Sequence, residues 1–194
     1  MSDRLDEIRR ISREEGHPVI LEEGFLILVD EVQKRQPKKI LEIGTATGCS
    51  AIAMLNASKG SRVTTIEIDE DTAEKARKNF IEFDLQDRVT QFIGDANEII
   101  PSLTGQYDFI FEDGPKGHYF EHLPYYAELL KVGGVLFADN VAFHGFVNSE
   151  KKCKRVNTIV KSMRNFIDGI QKDDRFITTI LDKGDGILIA ERIK

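Results

Sequence analysis

From Lys39 to Asp139, short apolar runs rich in β-branched residues alternate with stretches of helical character, and this alternation limits the possible folds more than any other property of the chain. Strands are predicted at 39–43, 62–67, 89–93, 108–112 and 134–139, and helices over 48–58, 70–84, 95–103 and 119–131. Strands separated by helices pair in parallel through right-handed crossovers, so the expectation is a three-layer α/β sandwich. Two helices precede this region, at 3–15 and 21–36; in the second, Leu21, Phe25, Leu28 and Val32 recur at three- and four-residue steps, with Pro18 before it and Pro37 after it. After a helix predicted over 151–172, the runs 176–181 and 186–192 are separated only by Asp182-Lys183-Gly184-Asp185. So short a connection predicts a hairpin, hence seven strands, mostly parallel, with an antiparallel edge. With no repeat or linker, residues 1–194 read as one domain.

The first strand runs into Gly44-Thr45-Ala46-Thr47-Gly48 and then a helix beginning near Cys49-Ser50. A strand, a glycine turn and a helix start place free backbone N–H groups at the carboxyl edge of a sheet, where nucleotide-like ligands dock. The third glycine of the dinucleotide fingerprint is absent, which disfavours a nicotinamide-dependent oxidoreductase. Glu67 follows Gly44 by 23 positions at the end of the second strand, close to the ~20-residue offset at which an acid meets ribose hydroxyls. The third strand leads into Gly94-Asp95-Ala96, where Asp95 can cap the next helix and bond an adenine amine.

Asp113 ends the fourth strand, and Asp139 and Asn140 end the fifth. Two carboxylates and an amide carbonyl on adjacent strands are hard oxygen ligands, suited to Mg²⁺ or Ca²⁺. Lys116 lies three residues beyond Asp113. His17, His118, His122 and His144 form no spaced metal motif, and no G-x-S-x-G is present to serve a hydrolase.

The chain carries a net charge of −6, against indiscriminate nucleic-acid binding, yet Lys151, Lys152, Lys154, Arg155, Lys161 and Arg164 form a basic run without an acid. No apolar run approaches a membrane span, and two cysteines, Cys49 and Cys153, make no disulfide framework, so a reduced cytoplasmic setting is expected.

Taken together, Ile40-Leu41-Glu42-Ile43-Gly44-x₃-Gly48, Thr65-Ile66-Glu67, Gly94-Asp95-Ala96, Asp113-x-x-Lys116-x-x-Tyr119 and Asp139-Asn140-Val141 resemble the cation-dependent O-methyltransferases, which include catechol and caffeoyl-CoA enzymes. The length, His17-Pro18-Val19-Ile20, and the stretch from Asp139 to Gly145 are most similar to the bacterial tRNA 5-hydroxyuridine branch. The resemblance implies a Rossmann-like class I methyltransferase sandwich and a homodimer. It implies S-adenosylmethionine across Gly44 and Ser50, with Glu67 on the ribose, Asp95 and Ala96 at the adenine, Ile20 folded over the cofactor and Asp113 near its methionine end. It further implies Mg²⁺ (or Mn²⁺) on Asp113, Asp139 and Asn140, with Asp113 and Lys116 as the catalytic pair and Lys116 as general base. The expected acceptor is 5-hydroxyuridine at the tRNA wobble position, with RNA phosphates on Lys151, Lys152, Lys154 and Arg155; a small catechol-like acceptor is the alternative. Two residues depart from the family pattern. Glu112 replaces an apolar residue, facing either away from the site or toward the metal, and Cys49 replaces an aromatic one and reads as a packing variant.

Overall fold

The computed structural model describes residues 3–145, 147 and 157–194. Helices α1 (Asp3–Glu14) and α2 (Glu22–Arg35) lead into the strand β1 (Lys39–Ile43), followed by α3 (Cys49–Ala57), β2 (Arg62–Glu67), α4 (Glu70–Glu82) and β3 (Val89–Ile93). The chain continues through α5 (Ala96–Ile99), β4 (Tyr107–Glu112), α6 (Tyr119–Leu129), β5 (Leu130–Ala138), α7 (Asn157–Lys172), β6 (Phe176–Leu181) and β7 (Ile187–Arg192). The strands form one sheet in the order β3-β2-β1-β4-β5-β7-β6. The pairs β1–β2, β2–β3, β1–β4 and β4–β5 are parallel, as alternation with helices predicts. The order reverses beside β1, so the crevice of an open α/β sheet opens between β1 and β4.

The C-terminal hairpin forms, but its second strand is not the edge. β7 inserts between β5 and β6, antiparallel to both, and leaves β6 outermost. Ile187, Leu188 and Ala190 of β7 are fully buried, whereas Ile177 and Ile180 of β6 are exposed. β7 thus takes the inner position, where both of its faces are covered, although it carries Glu191 and Arg192 at its end.

Strand alternation divides the core in two. Ile40, Phe109, Phe111 and Phe137 point to the face covered by α1, α2 and α3, with Leu5, Phe25, Leu28 and Ile52. Leu41, Ile43, Ile110 and Leu136 point to the other face, packed by Tyr119 and Tyr126 of α6 and Met163 and Phe166 of α7.

Two elements differ from expectation. The helix predicted over 95–103 is a single turn, α5, continued by a 3₁₀ turn at Ile100–Ser102. Pro101 is the cause, since it lacks the N–H an α-helix would require there. β5 begins at Leu130, earlier than predicted, with a register shift opposite Tyr107 to Phe109 that accommodates Gly133 at φ +82°. Within the helix predicted over 151–172, the part at 151–156 lies outside the described residues, and with it Lys151, Lys152, Lys154 and Arg155.

Candidate active site

The turn after β1 is shaped by close approach. Gly44 has φ +94°, and a Cβ there would stand 2.7 Å from the Asp113 carbonyl oxygen, so the β1 turn and the end of β4 touch through backbone. Gly48, at φ +84°, would drive a Cβ into the Phe80 ring at 2.7 Å. The N–H groups of Gly44 and Thr45 both donate to the Ile66 carbonyl, which pins the turn to the end of β2. Glu67 completes the brace: its carboxylate accepts from the Ala46 N–H at 2.8 Å and from Ile68 and Asp69 at 3.0 and 3.1 Å. A carboxylate has about four acceptor positions, so capacity remains for a further hydroxyl donor. Asp69 caps α4 through Thr72, and Asp95 caps α5 through the Asn97 N–H at 2.8 Å.

These turns wall a cavity of about 370 Å³, within the range of small-molecule sites. Gly44, Ala46 and Glu67 line one part of it, Ile68, Asp95 and Ala96 another, and Asp113, Pro115, Lys116 and His122 the side toward β4 and α6. A narrow recess adjoins it, lined by Ile20, Gly44, Ser50 and Asp113 among others. Ile20 is buried on the segment between α1 and α2, beside the Gly44 turn. The Ser50 hydroxyl is committed elsewhere, donating to Glu42 Oε1 at 2.5 Å, while Thr65 donates to Glu42 Oε2 at 2.6 Å.

Glu42 was not singled out as a site residue by sequence, and it is fully buried beneath the turn. Burial pushes its carboxyl up to about 7; the Ser50 and Thr65 hydroxyls oppose the shift and the charges of Asp113 and Glu67 reinforce it. The signal was available, because β1 is buried on both faces and any acid within it must be too.

At the ends of β4 and β5, the Asp139 N–H donates to the Glu112 carbonyl at 3.0 Å. The Tyr119 hydroxyl lies 3.1 Å from the Glu112 carbonyl oxygen and 3.0 Å from that of Asp139, tying the strand ends together. Lys116 donates to Asp113 Oδ1 at 2.6 Å. Asp139 is 1% exposed, and its Oδ2 has no hydrogen-bond partner among the described residues. Burial and the charge of Asp113 raise its carboxyl to about 7, opposed by Lys116 and the Asn140 N–H. Asp113 is also raised by burial, with Lys116 opposing. Asn140 takes up φ +57°, a left-handed conformation asparagine tolerates. Among the described residues no three His, Cys, Asp or Glu side chains form a metal-holding group, and the candidate set contributes two carboxylates and one amide. Two desolvated acids with one unpartnered oxygen form an electron-rich pair that fits a hard dication.

Glu112 faces away from that pair. It shares the Ile110 side of β4, and its Oε2 accepts from the Tyr126 hydroxyl and lies 2.9 Å from His122 Nδ1, while Oε1 accepts from the Gly114 N–H. His118 links Asn97 to Glu121 on the cavity rim. His17 meets Lys75 of α4, and His144 is exposed in the loop after β5, 3.5 Å from Asp185. Cys49 is buried with its thiol pushed up by desolvation, in keeping with a packing role.

Residues 5–193 match the family model described as O-methyltransferase. The chain belongs to this family. The catechol O-methyltransferase of Sus scrofa is 35% identical over 156 residues, covering 73% of this chain and 84% of the relative. The caffeoyl-CoA O-methyltransferase of Stellaria longipes is 26% identical over 211 residues, covering 99% and 84%. Among solved structures, the O-methyltransferase TomG from Streptomyces achromogenes, in complex with SAM, superposes with a TM-score of 0.87 at 26% identity, covering 100% of this chain and 91% of that one. This chain is therefore an O-methyltransferase with the mostly parallel seven-stranded sheet of such enzymes. Among the described residues no helix is long and apolar enough to cross a membrane.

Proposed function

We propose that the enzyme transfers the methyl group of S-adenosylmethionine to a hydroxyl oxygen that sits beside a second oxygen on a divalent cation, Mg²⁺ or Mn²⁺. The observation that carries this reading is the pair of Asp113, which lines the cavity, and Asp139, buried near it with Oδ2 unpartnered among the described residues. Asp113, Asp139 and Asn140 would hold the ion, which when bound lowers the pKa of the acceptor hydroxyl and fixes its neighbour. Gly44 lets the β1 turn lie against Asp113 where the cofactor's methionine end would pass, Glu67 retains acceptor capacity for ribose hydroxyls, and Asp95 and Ala96 would face the adenine. Lys116 takes the acceptor proton on Nζ, for which its ammonium must first lose both a proton and its hold on Asp113. The oxygen lone pair then forms the new O–CH₃ bond as the S–CH₃ bond breaks, and that electron pair returns to sulfur. Because the methyl donor is already activated, positioning supplies most of the acceleration, worth roughly 7–11 kcal/mol.

For the acceptor, 5-hydroxyuridine at the tRNA wobble position is favoured by the basic run that follows the metal motif in a chain of net charge −6. Its 5-hydroxyl and 4-oxo groups form the required chelating pair, and the product is 5-methoxyuridine. A catechol-like small molecule is the second reading, favoured by the names of relatives such as the Sus scrofa enzyme. Methyl transfer from labelled cofactor to hydroxyuridine-containing tRNA and to a catechol panel, each with and without excess chelator, separates the readings. Full activity in chelator would overturn the metal-dependent mechanism, and transfer to catechols alone would overturn the tRNA reading.

A further inference from the structure

His122 is 1% exposed, yet it lines the cavity. Its Nδ1 is turned to Glu112 Oε2 at 2.9 Å, and its Nε2 is buried with no hydrogen-bond partner among the described residues. Glu112 already receives donors from Tyr126 and Gly114, so it acts as an acceptor toward all three neighbours. With its ring hydrogen on Nδ1 and donated to Glu112, the imidazole presents Nε2 as an acceptor. A buried acceptor without a donor costs free energy, and a ligand that supplies an N–H recovers it. His122 lies on α6 and lines the same cavity as Asp95 and Ala96.

We propose that His122, held in this tautomer by Glu112, reads the exocyclic amine of the cofactor's adenine through Nε2. Asp95 accepts one amine hydrogen and His122 the other. The acid on β4 and the histidine one helical turn into α6 thus form a base-selecting floor, in which Glu112 is the positioning residue and His122 the group that touches the cofactor. A purine bearing hydrogen at C6 offers Nε2 no donor. The inference rests on the reading that the cavity holds S-adenosylmethionine.

The test uses the full chain and titration calorimetry with two probes, S-adenosylhomocysteine and its 6-deamino analogue, which carries hydrogen in place of the amine. His122→Asn is the variant of choice, since its amide can still donate to Glu112 while Nε2 is gone. We expect His122→Asn to weaken S-adenosylhomocysteine about fivefold and to leave the deamino analogue unchanged, so that the preference for the amine shrinks by that factor. An unchanged preference, or an equal loss for both probes, would overturn the proposal, because a merely structural histidine does not distinguish them. If the wild-type chain binds neither probe, the cofactor reading itself fails, an outcome separate from a failure of His122 alone.

Discussion

Replacing Glu42 by glutamine removes a buried titratable group from beneath the Gly44 turn while keeping its shape. The carboxyl is raised from an ordinary 4.5 to about 7, chiefly by burial. The folded-state value thus lies above the unfolded one, and between about pH 4.5 and 7 the folded chain holds a proton that the unfolded chain has released. Stability from this group is fully present below that window, falls as pH rises through it, and is flat above it. At 1.36 kcal/mol per unit, the ionised Glu42 of the wild type costs about 3 kcal/mol at pH 8 relative to its protonated form. Glutamine carries no such cost. Its amide must donate to one hydroxyl where the carboxylate accepted from two, and Thr65 can turn its hydrogen to Thr45 Oγ1, 2.6 Å away. The expected result is near-equal stability at pH 5 and a Glu42→Gln variant more stable by about 2–3 kcal/mol at pH 8, or roughly 5–10 °C in Tm for a chain of this size. Urea unfolding followed by circular dichroism at four pH values between 5 and 8 measures the difference. Asp139 titrates in the same range but is common to both proteins, so it cancels to first order. Parallel profiles for the two proteins would refute the reasoning, since they would mean that Glu42 keeps one charge state throughout.

Gly44→Ala places a methyl 2.7 Å from the Asp113 carbonyl at φ +94°, so we expect a loss of about 2 kcal/mol in urea unfolding together with weaker cofactor binding in calorimetry; unchanged stability would contradict the close approach. Lys116→Met removes the proposed base but none of the Glu67 or Asp95 contacts, so kcat should fall about 10²- to 10⁴-fold with cofactor affinity within twofold. A comparable loss of affinity would make Lys116 a binding residue instead.

The sheet was legible because alternation of strand and helix leaves few topologies, and caps such as Asp69 and Asp95 are local chemistry between neighbours in sequence. The inner place of β7 was less so. Both hairpin strands are apolar, and only competition for the doubly covered position beside β5 orders them. Pro101 marks the end of α5 in the sequence, and the helix predicted over 95–103 runs past it.

The site divides along the same line. Gly44, Glu67, Asp95, Asp113 and Asp139 each sit at the carboxyl end of a strand, where a parallel sheet presents its loops, so position along the chain was enough to nominate them. Glu42 and Glu112 belong to the strands themselves, and what they do depends on which face they take. Glu42 shares the Ile40 face and meets Ser50 of α3; Glu112 shares the Ile110 face and meets His122 of α6. Period-2 alternation assigns those faces once the helices are placed, but the partners come from helices that begin seven or more residues later, at angles no pattern states. The two buried acids therefore bracket the β1–β4 crevice from opposite layers. One supports the turn that we propose holds the methyl donor, and the other holds the histidine that we propose reads its base. An acid at a strand end offers its oxygens to a ligand, whereas an acid within a strand acts on the ligand through the side chain that satisfies it.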